Sequence, residues 1–270
     1  METKETFDVS VILPISSAIH PFFDDLLERC IKSLQMQLTG VNELVIVHTD
    51  EEVLKNKLTN YDFGDLNVNL VENKGEFDFA TQVNLGVKNA KSKWVSVLEF
   101  DDEYATIWFK NVKRYVESYD DVSAFLPLVV DTDDKGVFVG FTNEATFAVS
   151  MNSEMGYLTN DLLLSYQNFQ SSGMVVQKNI YESLGGFKKS MKLTFVYEFL
   201  LRLTYNSTKI MTIPRIGYKH MNMREGSIFW NYKNSDDRLT DDEVSFWIDS
   251  AKKEHFFTGD RNIKYEPQNV

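Results

Sequence analysis

Residues 94 to 104 read Trp-Val-Ser-Val-Leu-Glu-Phe-Asp-Asp-Glu-Tyr, an apolar run that ends in Glu99, Asp101, Asp102 and Glu103. Beta-branched Val95 and Val97 with Leu98 read as a buried strand, so four carboxylates crowd its C-terminal end. Like charges at that density repel unless a cation sits among them. A hard divalent metal takes oxygen ligands, and open α/β sheets bind their ligands outside the carboxyl ends of the strands. A solvated acidic loop is the plain alternative. A second run, Asp131, Asp133 and Asp134 before Gly136, has the composition of a tight turn.

The elements that must position these groups alternate. Val9 to Leu13 is a strand closed by Pro14, and the segment from Pro21 to Leu38 places Phe22, Leu26, Leu27, Cys30, Ile31 and Leu34 on one helical face. Glu43 to His48 is a second strand, 51 to 58 a short helix and Asn67 to Glu72 a third strand. Phe79 to Lys91 is a helix with Ala80, Val83, Val87 and Ala90 inward, and Trp94 to Leu98 is the next strand. Strands alternating with helices imply right-handed βαβ units and a mostly parallel sheet. Further on, Ile107 to Tyr119 reads as a helix, and Ser123 to Val130 and Val137 to Phe141 as a hairpin. Gly173 to Gln177 and Lys209 to Ile213 read as strands. Lys178 to Leu184, Phe195 to Tyr205 and Asp241 to Glu254 read as helices.

The 270 residues, 43% hydrophobic and 13% aromatic, suffice for one large α/β domain, 1–230, with a short helical and polar extension, 231–270, packed on it or trailing it. A net charge of -12 and a pI near 4.9 leave no basic footprint for a nucleic-acid backbone. The longest apolar runs fall short of a membrane span and the N-terminus does not read as a signal peptide, so a cytoplasmic protein with no integral membrane segment is expected. Cys30 is the single cysteine, which excludes an intrachain disulfide, and His20, His48, His220 and His255 lack zinc spacing.

In order, these pieces resemble the GT-A type nucleotide-sugar glycosyltransferases, in particular the large inverting family 2. Val-Ser-Val-Ile-Leu-Pro14 looks like its first strand and Glu-Leu-Val-Ile-Val47 like its second. Phe79 to Ser92 is similar to the helix before its metal motif, with Asn84 and Gly86 in the usual places, and Glu99-Phe100-Asp101-Asp102 lies where the family has Asp-any-Asp. Ser172 to Phe187, Leu200-Leu-Arg-Leu203 and Ile213 to His220 follow in family order over residues 7 to 228. The fold implied is a Rossmann-like αβα sandwich with a mostly parallel central sheet and a short C-terminal extension.

The resemblance implies transfer of a sugar from a UDP-, GDP- or dTDP-linked donor to a glycan, lipid or protein acceptor, with Mn²⁺ or Mg²⁺ against the leaving diphosphate. It puts Asp101 on the metal and Glu99, longer than the family's usual aspartate, near the ribose and the metal. His220 completes the metal or diphosphate site. Asp102 faces the acceptor, or alternatively caps the next helix. Pro14 and Ile15 frame the nucleotide base, Asn84 belongs to the nucleotide-sugar site, and a base contact passes to His48 or Asp50, because the family's Asp-Asp-Gly-Ser is here His48-Thr49-Asp50-Glu51. Arg224 and Ser227 close over the diphosphate, while Trp230 gates the site, stacks on sugar or simply packs. An inverting transferase needs a carboxylate base, and Phe195 and Val196 stand where the family has Glu-Asp; Glu198 is the nearest replacement, or Arg202's i+4 partner, and Asp102 the next. That departure also fits a degenerate transferase that only binds sugar nucleotide or carbohydrate. A nucleotidyltransferase would need a glycine-rich loop after the first strand, and Ile15 to His20 offers none. The polar tail after Trp230 is a candidate surface for the acceptor or for a homo-oligomer.

Overall fold

The computed structural model describes residues 5–148, 156–222, 224–236 and 238–267. Continuous apolar runs make the central strands, because a parallel strand is covered on both faces. β1 (Thr6–Ile15) is buried at all but two positions, and β2 (Gly40–Thr49) is buried from Glu43 onward. α1 (Phe23–Gln35) connects them, α2 (Glu52–Thr59) leads to β3 (Val68–Asn73), and α3 (Phe79–Asn89) leads to β4 (Trp94–Val97). β5 (Glu103–Tyr104), α4 (Trp108–Ser118), β6 (Ala124–Thr132), β7 (Phe138–Thr142), α5 (Ala145–Ala148), β8 (Gly156–Leu158) and α6 (Asn160–Ser165) follow. The chain continues through β9 (Val175–Gln177), α7 (Lys178–Ser183), a 3-10 turn at Lys189–Thr194, α8 (Phe195–Tyr205), β10 (Ile210–Met221), α9 (Ile228–Asn234) and α10 (Asp241–Glu254).

One mixed sheet runs β3-β2-β1-β4-β9-β6-β10-β5, with β7 added to β6 and β8 to β10. The long pairings are parallel: β1 with β2 and β4, β2 with β3, and β6 with β10. The short strands β5, β7, β8 and β9 pair antiparallel. Two apolar layers cover the faces. One gathers α1 and α4 on Val11, Leu13, Ile46 and Phe125. The other gathers α3, α8 and α10 on Ile12, Val47, Val95 and Leu126.

Side-chain caps open α3, α6, α9 and α10. Asp78 caps α3 by accepting the Thr81 N–H at 2.8 Å, and a reciprocal capping box between Thr240 and Glu243 opens α10. The inward face of α1 differs by one residue from the expectation: Phe22 precedes the helix and is 64% exposed, and Phe23 is buried in its place. The acidic turn is confined to Asp133–Gly136, where Asp133 Oδ1 accepts the N–H groups of Lys135 and Val137 and Gly136 has φ 79°. Asp131 is instead a buried strand residue that accepts the Thr142 hydroxyl at 2.6 Å.

The largest departure is β10. The expected strand from Lys209 to Ile213 continues to Met221 through register shifts around Pro214 to Gly217. Beyond the shift, Tyr218 and Lys219 pair antiparallel with Tyr104 and Glu103 of β5, a two-residue strand with no periodicity to reveal it. Gly217 permits this approach, since a Cβ there would stand 2.3 Å from the Trp108 ring. The division expected at 230/231 falls inside α9, and α10 buries Trp247 and Ala251 in the same apolar layer as Phe195 and Leu200.

Candidate active site

β4 ends at Val97 on the carboxyl edge of the parallel strands, so Glu99 and Asp101 emerge where β1 delivers Pro14 and Ile15. All four residues line one cleft of about 1290 Å³, closed on the far side by the 3-10 turn, the start of α8 and the loop into α9. The antiparallel reach of β10 onto β5 swings His220 back against the turn after β4.

Glu99, Asp102 and His220 meet there, offering ligand atoms all within 4.8 Å of one another. Asp102 is 1% exposed; its Oδ2 lies 3.0 Å from His220 Nδ1 and its Oδ1 accepts the Met221 N–H at 2.8 Å. Glu99 accepts the Ser172 hydroxyl at 2.8 Å, while its own N–H donates to the Tyr218 hydroxyl at 2.9 Å. Gly173 (φ 72°) keeps Tyr218 in place: a Cβ there would meet the ring at 2.5 Å, and its carbonyl accepts the Trp108 indole N–H at 3.1 Å.

Burial and the neighbouring Asp102 charge push Glu99 up to about 7. Burial also raises Asp102, against the pull of His220. Burial disfavours a charged His220, but the charge and hydrogen bond of Asp102, with Glu99 and Asp101 behind it, win and raise it to about 10. The protonated imidazole thus neutralises part of a buried acidic pair. Two carboxylates and an imidazole suit a hard or borderline divalent cation, and a carboxylate on the ring nitrogen is the usual way to orient such a histidine. The donor set therefore fits the expected cation.

The other expected residues divide. Pro14, Ile15, Glu99, Asp101, His220, Arg224 and Ser227 line the cleft. Asp101, expected on the metal, instead pairs with Arg224 Nε, while Asp102 enters the cation cluster. Asp102 neither faces the cleft nor caps α4, whose preceding residue Ile107 makes no side-chain cap. Ser227 does cap α9, accepting the Trp230 N–H at 3.2 Å, and Met223 lies outside the described residues.

His48 and Asp50 lie outside the cleft wall: His48 is buried with Nδ1 2.7 Å from the Thr49 carbonyl, and Asp50 is exposed beyond β2. Asn84 is also taken up internally. Its amide donates to the Phe187 carbonyl at 2.8 Å and accepts from the Tyr181 hydroxyl and the Phe187 N–H, pinning the Gly185-Gly186 turn.

Glu198 is the clearest correction. It is fully buried in α8, 2.9 Å from Lys188 Nζ and bonded to Arg202 Nε and Nη2 at 3.0 and 2.7 Å. A carboxylate enclosed by two cations cannot reach an acceptor hydroxyl from this position. Phe195 and Val196 do line the cleft, so the wall where the family carries acids is apolar here. Ser172 and Tyr218 carry no local signal, because a hydroxyl that meets a residue over 70 positions away leaves no pattern around itself; both nevertheless lie within segments of family resemblance.

The sequence pattern of glycosyl transferase family 2 matches residues 10–181, from within β1 to within α7. No curated protein matches the chain. Among solved structures, the chain resembles residues 1–349 of S. aureus TarS in complex with UDP, with a TM-score of 0.63, 14% identity, and 92% of this chain and 71% of that one covered. The same TarS segment with UDP-GlcNAc gives a TM-score of 0.63, 14% identity and 92% and 72% coverage. A longer TarS chain gives 0.59, 15% identity and 92% and 43% coverage. Likeness at this identity speaks for the fold, a GT-A type α/β architecture, and the family pattern spans more than half of the sequence: the chain belongs to glycosyl transferase family 2.

Proposed function

We propose that the chain transfers a sugar from a nucleotide-sugar donor to a carbohydrate-bearing, lipid or protein acceptor by a metal-dependent inverting displacement. The observation that carries this reading is the Glu99, Asp102 and His220 group, in which Glu99 and His220 line the cleft and Asp102 is buried against His220. These three residues would hold Mn²⁺ or Mg²⁺, which when bound counters the charge developing on the leaving diphosphate. Arg224, on the same cleft, supplies a guanidinium for phosphate oxygens. Pro14 and Ile15 frame the nucleotide. A UDP-linked donor is the first to test, since TarS of the same fold was crystallised with UDP and UDP-GlcNAc. A cytoplasmic location is part of the proposal; among the described residues no helix is long and apolar enough to cross a membrane.

The enclosure of Glu198 favours one second reading, a protein that binds sugar nucleotide without efficient transfer. If transfer occurs, the base must come from a carboxylate that reaches the cleft, a set that includes Asp25, Asp101, Asp134 and Glu225. A thermal-shift panel of UDP, GDP, dTDP and their sugars, with and without Mn²⁺, tests binding. A ligand at a hundredfold excess over its dissociation constant stabilises by about 2.7 kcal/mol. Stabilisation by a nucleoside diphosphate that needs both Mn²⁺ and Asp102 is expected, and a flat panel would sink the donor-site reading. Donor hydrolysis by the same protein separates turnover from binding alone.

A further inference from the structure

His20 lies in the segment between β1 and α1 and lines the cleft, yet none of the chemistry above uses it. Its Nδ1 accepts the backbone N–H of Phe22 at 3.1 Å. A ring nitrogen that accepts carries no proton, so in the neutral imidazole the proton is on Nε2. Burial, helped by the Arg224 charge, holds the ring below its ordinary value of 6.5 against Asp101 and Glu225, which keeps it neutral at pH 7. In that state Nε2–H is a donor; it cannot serve as the missing base.

The surroundings select what it donates to. Arg224, Asp101 and Glu225 are close enough for their charges to act on the ring, and all line the same stretch of cleft. Arg224 spends Nε on Asp101 and Nη1 on the Glu225 carbonyl, so Nη2 has no bond to the protein among the described residues. An imidazole N–H and a guanidinium edge on one stretch of wall, beside the cation triad, make a site for an anion with several acceptor oxygens.

We infer that His20 donates a hydrogen bond from Nε2 to a phosphate oxygen of the bound nucleoside diphosphate, next to Arg224. This rests on the reading of the cleft as a donor site. The Phe22 N–H fixes the tautomer and aims the ring, so the bond costs little reorganisation when the nucleotide arrives. Because His20 is partly exposed, its replacement leaves the core untouched.

Calorimetric titration with the tightest nucleoside diphosphate of the panel, at constant Mn²⁺, decides the matter on wild type, His20→Phe and His20→Gln. Phenylalanine keeps the ring and removes the donor; glutamine restores an N–H at similar reach. A hydrogen bond to a charged acceptor predicts about a ten- to hundredfold loss for His20→Phe, with His20→Gln within a fewfold of wild type. The parent nucleoside, followed by saturation-transfer NMR at millimolar concentration, should lose less than twofold. Wild-type affinity in His20→Phe, or no recovery in His20→Gln, overturns the inference. So does an equal loss for the nucleoside, which would assign His20 to the ribose or base. If wild type binds no nucleoside diphosphate at all, the donor-site reading itself falls.

Discussion

At the scale of single residues, the cluster works by mutual adjustment of charge. Without a cation, Glu99 holds its proton up to about pH 7 and His220 up to about 10. Both folded values are raised, so the folded state binds more protons than the unfolded chain between the ordinary carboxylate range and pH 10. Stability from this cluster therefore falls as pH rises, first through the Glu99 window and then through that of His220. A divalent ion reverses the trend, because it needs Glu99 ionised and His220 neutral and must displace their protons. Mn²⁺ affinity measured calorimetrically should rise at least about tenfold from pH 6 to pH 8, with proton release seen as buffer-dependent heat. An affinity that is flat over this range would remove His220 and Glu99 from the cation site. The acidic junction was legible in the sequence because it is local; that Asp102 rather than Asp101 turns toward His220 was not, because Met221 and Arg224, both over 115 residues away, decide it.

At the scale of elements, most of the βα succession could be read from apolar runs and caps, and α8 and α10 span the residues their periodicity predicts. What escaped was pairing at a distance. A proline is expected to close a strand, but β1 keeps Pro14 paired with Val47 and runs on to Ile15, and β10 passes Pro214 and Gly217 with register shifts, its continuation held by β6 and β5. Glu198 shows the same limit, since sequence gives its Arg202 neighbour at i+4 but not Lys188 beside it. Arg202 extends the contact to the Leu184 and Gly186 carbonyls, and Lys188 Nζ bonds the Glu254 carbonyl at 2.7 Å, so one carboxylate ties α8 to the glycine turn and the end of α10. Glu198→Gln would leave two cations buried without their counter-charge. Breaking such a cluster from one side costs about 3–5 kcal/mol. Urea denaturation should show that loss; an undisturbed midpoint would reopen the catalytic assignment that the enclosure argues against.

At the scale of the whole molecule, the segment expected as an extension packs into the same apolar layer as α3 and α8. Trp247 is 1% exposed within the layer formed by α3 and α8, and its carbonyl accepts the Thr194 hydroxyl at 3.0 Å. Beyond α10, Asp260 accepts from Ser190, and the Thr258 carbonyl would lie 2.2 Å from a Cβ on Gly185, which has φ 85°. The polar composition leaves open whether this extension packs on the domain or trails it, because the apolar residues of α10 are few and widely spaced in sequence. The contacts of α10 nevertheless fall on the 3-10 turn and α8, the elements that supply the cleft wall from Leu193 to Tyr197, and Ile248 of α10 lines the cleft itself. If the segment is integral, Trp247→Ala should cost about 3–5 kcal/mol, as large aromatic truncations in a core do. The loss should appear as one shifted cooperative transition, identical by circular dichroism and by the fluorescence of the remaining tryptophans. An independent extension would instead unfold in a separate early step and leave the main transition where it was. Because the same packing sets the wall around Phe195, nucleotide-dependent stabilisation should weaken in Trp247→Ala even at temperatures where the protein remains folded.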